Sequence, residues 1–243
     1  MRIQAEYKLI TALLCAGGIW VAPVAADMIS FNIDSGNSAL SGYAGPYATV
    51  DVNLIDSTHA TLTFTSLTNS GNIYLLGDGG TVGVNVNATS WTLSNITGSN
   101  SGTGFTSGGP FSDGGAGNED GWGSFNQTIN TFDGFTHSSD LLSFDLTDTS
   151  GTWASAADVL AANASGFLAA AHIFVTSDPA NASNGAIVTG FATGGSSTSS
   201  STSSSTSTSG GTSSGTGLPE PASLGLLGLG LVALAATRRR LHV

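Results

Sequence analysis

Between Asp27 and Gly194, apolar residues recur at every second position in short runs, the period of half-buried β-strands. The cleanest run is His59–Thr65, where Ala60, Leu62 and Phe64 alternate with threonines. Val50, Val52 and Leu54 alternate before it, and Val82, Val84 and Val86 after it. Met28–Ile33, Ile73–Leu76, Trp91–Ile96, Ser124–Thr131, Leu141–Leu146, His172–Thr176 and Ala186–Phe191 read as further strands. Asn69-Ser70-Gly71-Asn72, Asp78-Gly79-Gly80 and Gly114-Gly115 supply turns between them. One segment departs from the pattern. Thr152–Asn163 is rich in alanine and predicts a short helix, with Thr152 as N-cap and Gly166 just past its end. The expected fold is therefore all-β, a β-sandwich or jelly roll with one short helix.

Both ends of the chain break the period of two. Arg2 and Lys8 precede an apolar run, Leu9–Val24, and Val24-Ala25-Ala26 offers small residues for cleavage. This predicts a signal peptide over 1–26, cut between Ala26 and Asp27. At the other end, residues 195–217 hold only Ser, Thr and Gly. Such a stretch has no apolar anchor and predicts a disordered linker after the 27–194 domain. Residues 218–243 follow: Pro219-Glu220-Pro221, the apolar 222–237 segment, then a basic end, 238–243. Sixteen residues of helix cover about 24 Å, short of a hydrocarbon core of about 30 Å, but arginine stems reach to the interface. Arg238, Arg239 and Arg240 directly after an apolar run fit a stop-transfer signal. The expectation is a C-terminal transmembrane helix with its end in the cytoplasm.

The order of motif, apolar run and arginine cluster, in a chain with a signal peptide, resembles the PEP-CTERM sorting signal of Gram-negative bacteria. The resemblance implies that an exosortase, a membrane-embedded transpeptidase-like enzyme, recognises Pro219, Glu220 and Pro221 as substrate. It implies an inner-membrane-anchored intermediate delivered by the general secretion machinery. The destination it implies is the cell surface or an exopolysaccharide-rich extracellular matrix. Gly134-Phe135, Gly151–Ala156 and Ala171–Val175 also look similar to uncharacterised PEP-CTERM proteins, which carries an expectation of fold and none of activity.

Charge narrows the function further. All five Lys and Arg lie in the two ends, so Asp27–Gly217 contains none. Of the sixteen acids, Glu6 and Glu220 lie in the ends, and the other fourteen fall in this stretch. A surface without cations excludes phosphate-backbone contacts, and so argues against nucleic-acid binding. It also offers no clamp for a phosphorylated substrate. The one cysteine, Cys15, lies in the predicted signal peptide, so the exported domain has no disulfide or thiolate chemistry.

Candidate chemistry is sparse. Asp113, Asn118, Glu119 and Asp120 form the densest acidic stretch, set among glycines, and are candidate oxygen ligands for Ca²⁺. Their spacing matches neither an EF-hand nor a nonapeptide β-roll. Asp78, Asp145 and Asp148 are weaker candidates, because Asp is an ordinary turn residue. His59 falls on the outward face of its strand, and His172 sits in an apolar one. Trp122, among glycines and acids, is the best candidate for stacking on a sugar; Trp91 and Trp153 read as core. No catalytic residue is assigned. The expected function is a non-enzymatic, exosortase-sorted surface protein. A carbohydrate-binding or adhesin module that uses Trp122 and Ca²⁺ is the alternative, with a secreted hydrolase behind it.

Overall fold

The computed structural model describes residues 27–77, 79–100, 105–177 and 185–196. The predicted signal peptide, nearly all of the linker, the sorting signal and Asp78 lie outside them. Among the described residues no helix is long and apolar enough to cross a membrane. The expected transmembrane helix falls on residues outside the described set.

The domain is nearly all strand, joined in one hydrogen-bonded sheet. It begins with a meander of β1 (Asp27–Gly36), β2 (Ala48–Asp56) and β3 (His59–Ser66), each antiparallel to the next. Then come β4 (Thr68–Asn69), β5 (Asn72–Gly77), β6 (Gly80–Val84) and β7 (Trp91–Ser99). The chain continues through β8 (Thr106–Ser107), β9 (Ser112–Glu119), β10 (Gly123–Asn130), β11 (His137–Ser139) and β12 (Leu141–Asp148). It closes with β13 (Phe167–Ser177) and β14 (Val188–Ser196), so the last strand runs past residue 194.

The ladder order is β7-β12-β3-β2-β1-β14-β13-β5-β11-β8, with a branch at β13. One edge of β13 is shared. Ala169–Ala171 pair with β6, and Ile173–Ser177 pair with β5. The branch continues from β6 to β10 and from β10 to β9.

Register explains the core. Val50, Phe64 and Leu142 lie side by side across three strands; so do Val52, Leu62 and Phe144, and Leu54, Ala60 and Leu146. All nine are buried, and their outward neighbours are mostly Thr, Ser, Asn and Asp. On β13 the same face carries Ala169, Ala171, Ile173 and Val175, which join the same apolar cluster. β12 and β13 stand five places apart in the ladder. In a flat sheet that is about 24 Å, too far for shared contacts. The sheet therefore coils over on itself and closes its apolar face inward. Phe64 and Phe144 stack near its centre, with ring centroids 6.3 Å apart. β13 is buried on both faces: Phe174 on its other side packs with Leu75 and Phe105 in a second, smaller cluster.

The predicted strands are present with boundaries shifted by a few residues. The predicted helix is not. Thr152–Asn163 holds only a 3₁₀ turn, Ala156–Asp158, with Ser155 rather than Thr152 at its cap. The reason is tertiary. Its backbone N–H groups find partners elsewhere: Trp153 donates to Ser57 O, Ala156 to Asp27 Oδ2, Ala161 to Asn85 O and Asn163 to Phe167 O. Leu160 forms a bridge with Val86. With those bonds made, alanine's modest helix preference has too few donors left to act on.

Where β14 meets β1 the backbones approach closely. A Cβ at Gly194 would stand 1.8 Å from the Asn32 carbonyl oxygen. Gly194→Ala is expected to force β1 and β14 apart and to cost about 1–3 kcal/mol, read as a lower urea midpoint. An unchanged midpoint would show that this junction is not the tight contact described.

Candidate functional site

The acidic stretch forms a strand, β9, where the sequence suggested a glycine-rich loop. Asp113 and Glu119 lie six residues apart, roughly 20 Å along an extended strand. Asp113 Oδ1 accepts from Gln127 Nε2 and from the Gly115 N–H, both at 2.7 Å. Asn118 lies opposite Ser124 on β10 and is exposed. Asp120 is exposed at the turn, where its carbonyl accepts from Asn37 Nδ2. Glu119 points the other way and is 2% exposed. The four expected calcium ligands are thus not brought together. Among the described residues no three His, Asp or Glu side chains converge on a point that would hold a metal.

Most of the other carboxylates serve the fold. Asp145 joins three strands: its Oδ1 accepts from Thr61 at 2.6 Å, and its Oδ2 from Asn95 Nδ2 at 2.7 Å. Asn95 adopts a left-handed conformation (φ 51°) at the β7 irregularity, which aims its amide at that carboxylate. Asp148 Oδ1 caps the turn after β12, accepting from Ser150 N, Ser150 Oγ and Gly151 N. Asp56 does the same before β3, for Thr58 and His59. The Thr58 N–H, followed by the His59 ring, holds the Asp56 carboxyl well below the usual range. His59 itself is exposed, as its strand position implied, with Nδ1 2.8 Å from Asp56.

The tryptophans are tied down. Trp153 is buried and donates to Asn87 O; Trp91 is partly buried and donates to Gln127 Oε1. Trp122 is half-buried. Its indole donates to Phe191 O at 3.1 Å and its ring meets Phe167 edge-on at 5.2 Å. Its flanking glycines suggested an open platform, but those glycines let the β9–β10 turn fold back on the sheet. His172 stacks on Phe191, ring centroids 4.3 Å apart, and His137 stacks on Phe132.

The feature that sequence reading missed is a groove of about 730 Å³ between Asn85–Thr89 and Asp148–Asp158. Asn85, Asn87, Thr89 and Thr152 line it with amides and hydroxyls, and Trp153 is among its walls. A smaller cleft of about 500 Å³ lies beside Asp56, His59, Asn95 and Asp145. The groove joins loops more than fifty residues apart, so no local signal in the sequence announces it.

Residues 218–240 match the family model of the PEP-CTERM protein-sorting motif. The match covers Pro219-Glu220-Pro221, the apolar run and Arg238–Arg240. The motif implies an exported chain of a Gram-negative bacterium that transits the membrane and is handled by an exosortase. No curated protein and no solved structure matches the chain.

Burial raises the Asp148 pKa, and the Ser150 and Gly151 donors outweigh it, so the net shift is downward. A lowered carboxylate stabilises the fold above the ordinary Asp range and loses that effect as pH falls through it. Asp148→Ala is expected to cost about 1–2 kcal/mol at pH 7 and to flatten the fall in stability on acidification below about pH 4. Urea titrations of the two proteins at pH 3 to 7 test this. Superimposed curves would mean that the cap contributes nothing, and parallel offset curves that its contribution does not depend on ionisation.

Proposed function

We propose that this is a non-enzymatic surface protein: exported, held at the inner membrane by its tail, processed by an exosortase and released into the extracellular polysaccharide layer. The observation that carries the reading is the sorting motif at residues 218–240, joined to a domain whose carboxylates mostly cap turns and bridge strands. Asp27, Asp56, Asp113, Asp145, Asp148 and Asp158 each accept from donors of the domain itself. A carboxylate so occupied is poorly placed for acid–base work. On this account the polypeptide supplies shape and hydrogen-bonding surface, and the reactive groups belong to the sorting enzyme. Cleavage between Ala26 and Asp27 and a stop at Arg238–Arg240 complete the route.

A second reading, a carbohydrate-binding or adhesin module at the same address, is favoured by the groove between Asn85–Thr89 and Asp148–Asp158. Its amides and hydroxyls, next to carboxylates and with no Lys or Arg in the domain, suit a neutral polyhydroxylated ligand and disfavour an anionic one. This reading moves the sugar contact from Trp122, whose indole is bound to the sheet, to the groove.

The route is tested by expressing the chain in a host with and without an exosortase, and reading the mature C-terminus by mass spectrometry. With the enzyme, the C-terminal peptide is expected to end near Pro219-Glu220-Pro221. Replacing those three residues with alanine is expected to leave the tail in place and the protein in the membrane fraction. Surface-resident protein that still ends at Val243 would overturn the proposal.

A further inference from the structure

The β9–β10 hairpin has a small interior of its own. Among the described residues β9 is hydrogen-bonded only to β10, and β10 also to β6. Yet β9 also touches β6 and β13, so the hairpin leans back over the outer face of the sheet. The floor beneath it is made of small residues. Gly83 of β6 lies opposite Ala170 of β13, and Ala170 lies opposite Thr193 of β14; all three are buried. Phe125 and Glu119 fill the space above. A Cβ at Gly83 would stand 3.1 Å from Glu119 Oε1 and 3.2 Å from Phe125 Cγ, so this glycine makes the recess. Phe125 is fully buried but belongs to neither apolar cluster of the main body.

Glu119 is the anomaly. It is the one glutamate of the exported domain, it is buried, and its Oε2 has no hydrogen-bond partner. A carboxylate with one oxygen cut off from water and given no donor favours the neutral acid. The surroundings offer no rescue. The facing parts of β6, β10 and β14 carry no titratable side chain; β13 contributes His172, and the hairpin turn contributes the exposed Asp120. The tip itself is held by few bonds: Trp122 to Phe191 O, Asn37 to Asp120 O, and Asn163 to the carbonyls of Trp122 and Ser124.

We propose that the β9–β10 hairpin is a proton-dependent lid, pinned over Gly83, Ala170 and Thr193 by the neutral Glu119 side chain and loosened when that side chain ionises. Burial pushes the Glu119 carboxyl up to about 7 from its ordinary value of 4.5. A group raised in the closed state and normal in the open state favours closure in acid. Closure weakens as pH rises from about 4.5 to about 7 and levels off above that. Opening exposes a narrow apolar floor beside Phe167, Phe191 and the freed Trp122 indole. The lid thus covers that surface in acid and uncovers it near neutrality.

Native-state hydrogen exchange of the full chain, corrected for intrinsic rates, reads the lid directly. Between pH 5.5 and 8.5 the amides of residues 118–125 are expected to lose about 30-fold in protection, while β2 and β3 keep theirs. Glu119→Gln, neutral at every pH, is expected to hold the hairpin closed throughout. Equal pH dependence in E119Q, or none in the wild-type chain, would overturn the proposal. Millimolar calcium is the other arm: protection restored by Ca²⁺ at pH 8.5 would make Glu119 a cation ligand and sink the proton reading. Should E119Q fail to fold, ¹³C-carboxyl NMR of the glutamates decides. One of Glu6, Glu119 and Glu220 is expected to titrate near 7; three midpoints near 4.5 would contradict the pin.

Discussion

A folded domain with fourteen acids and no Lys or Arg must hold its carboxylates without Lys or Arg salt bridges. Among the described residues the one ion pair is the exposed Asp56–His59 contact. Charge is instead met by donors from the domain itself. Backbone N–H groups and hydroxyls surround Asp148 and Asp56, a hydroxyl and an amide hold Asp145, and an amide and an N–H hold Asp113. Hydrogen bonds to ionised acceptors are stronger than neutral ones, and they come without the desolvation of a second charge. Glu119 is the exception: it is buried without such donors, and burial pushes its carboxyl up to about 7.

The same constraint places the stability of the fold in its apolar face. With no Cys, Lys or Arg in the domain, the coiled sheet is held by rows such as Val52–Leu62–Phe144 and by the doubly buried β13. The outward positions are left to Thr, Ser, Asn and Asp, a polar surface suited to an exported chain. The sorting motif and the domain are thus consistent at separate levels. The motif carries the export signal, and the domain holds together without covalent staples.

Alternation made β1, β2, β3 and β12 legible, because a residue on a two-faced strand reports its own burial. Where the deciding contact lies far away in the chain, the sequence was silent. Ala-rich Thr152–Asn163 reads as helix locally, but its N–H groups donate to oxygens of Ser57, Asp27, Asn85 and Phe167. Gly-rich β9 reads as loop, because glycine hides the strand period. Glu119 reads as a calcium ligand beside Asp120, yet Asp120 is exposed at the turn while Glu119 is buried in a recess cut by Gly83 on another strand. The groove joins two distant loops and has no signature in either. The sorting motif, by contrast, is a linear signal read by another protein, and it was fully legible.

The measurement that bears most directly on a fold held without salt bridges is the salt dependence of stability in the full chain at pH 7. Raising NaCl from near zero to about 0.5 M screens repulsion among exposed acids and leaves hydrogen-bonded caps largely intact. The urea midpoint is expected to hold or rise. A midpoint that falls steadily with added salt would reveal attractive charge pairs that carry the fold, and would contradict this account.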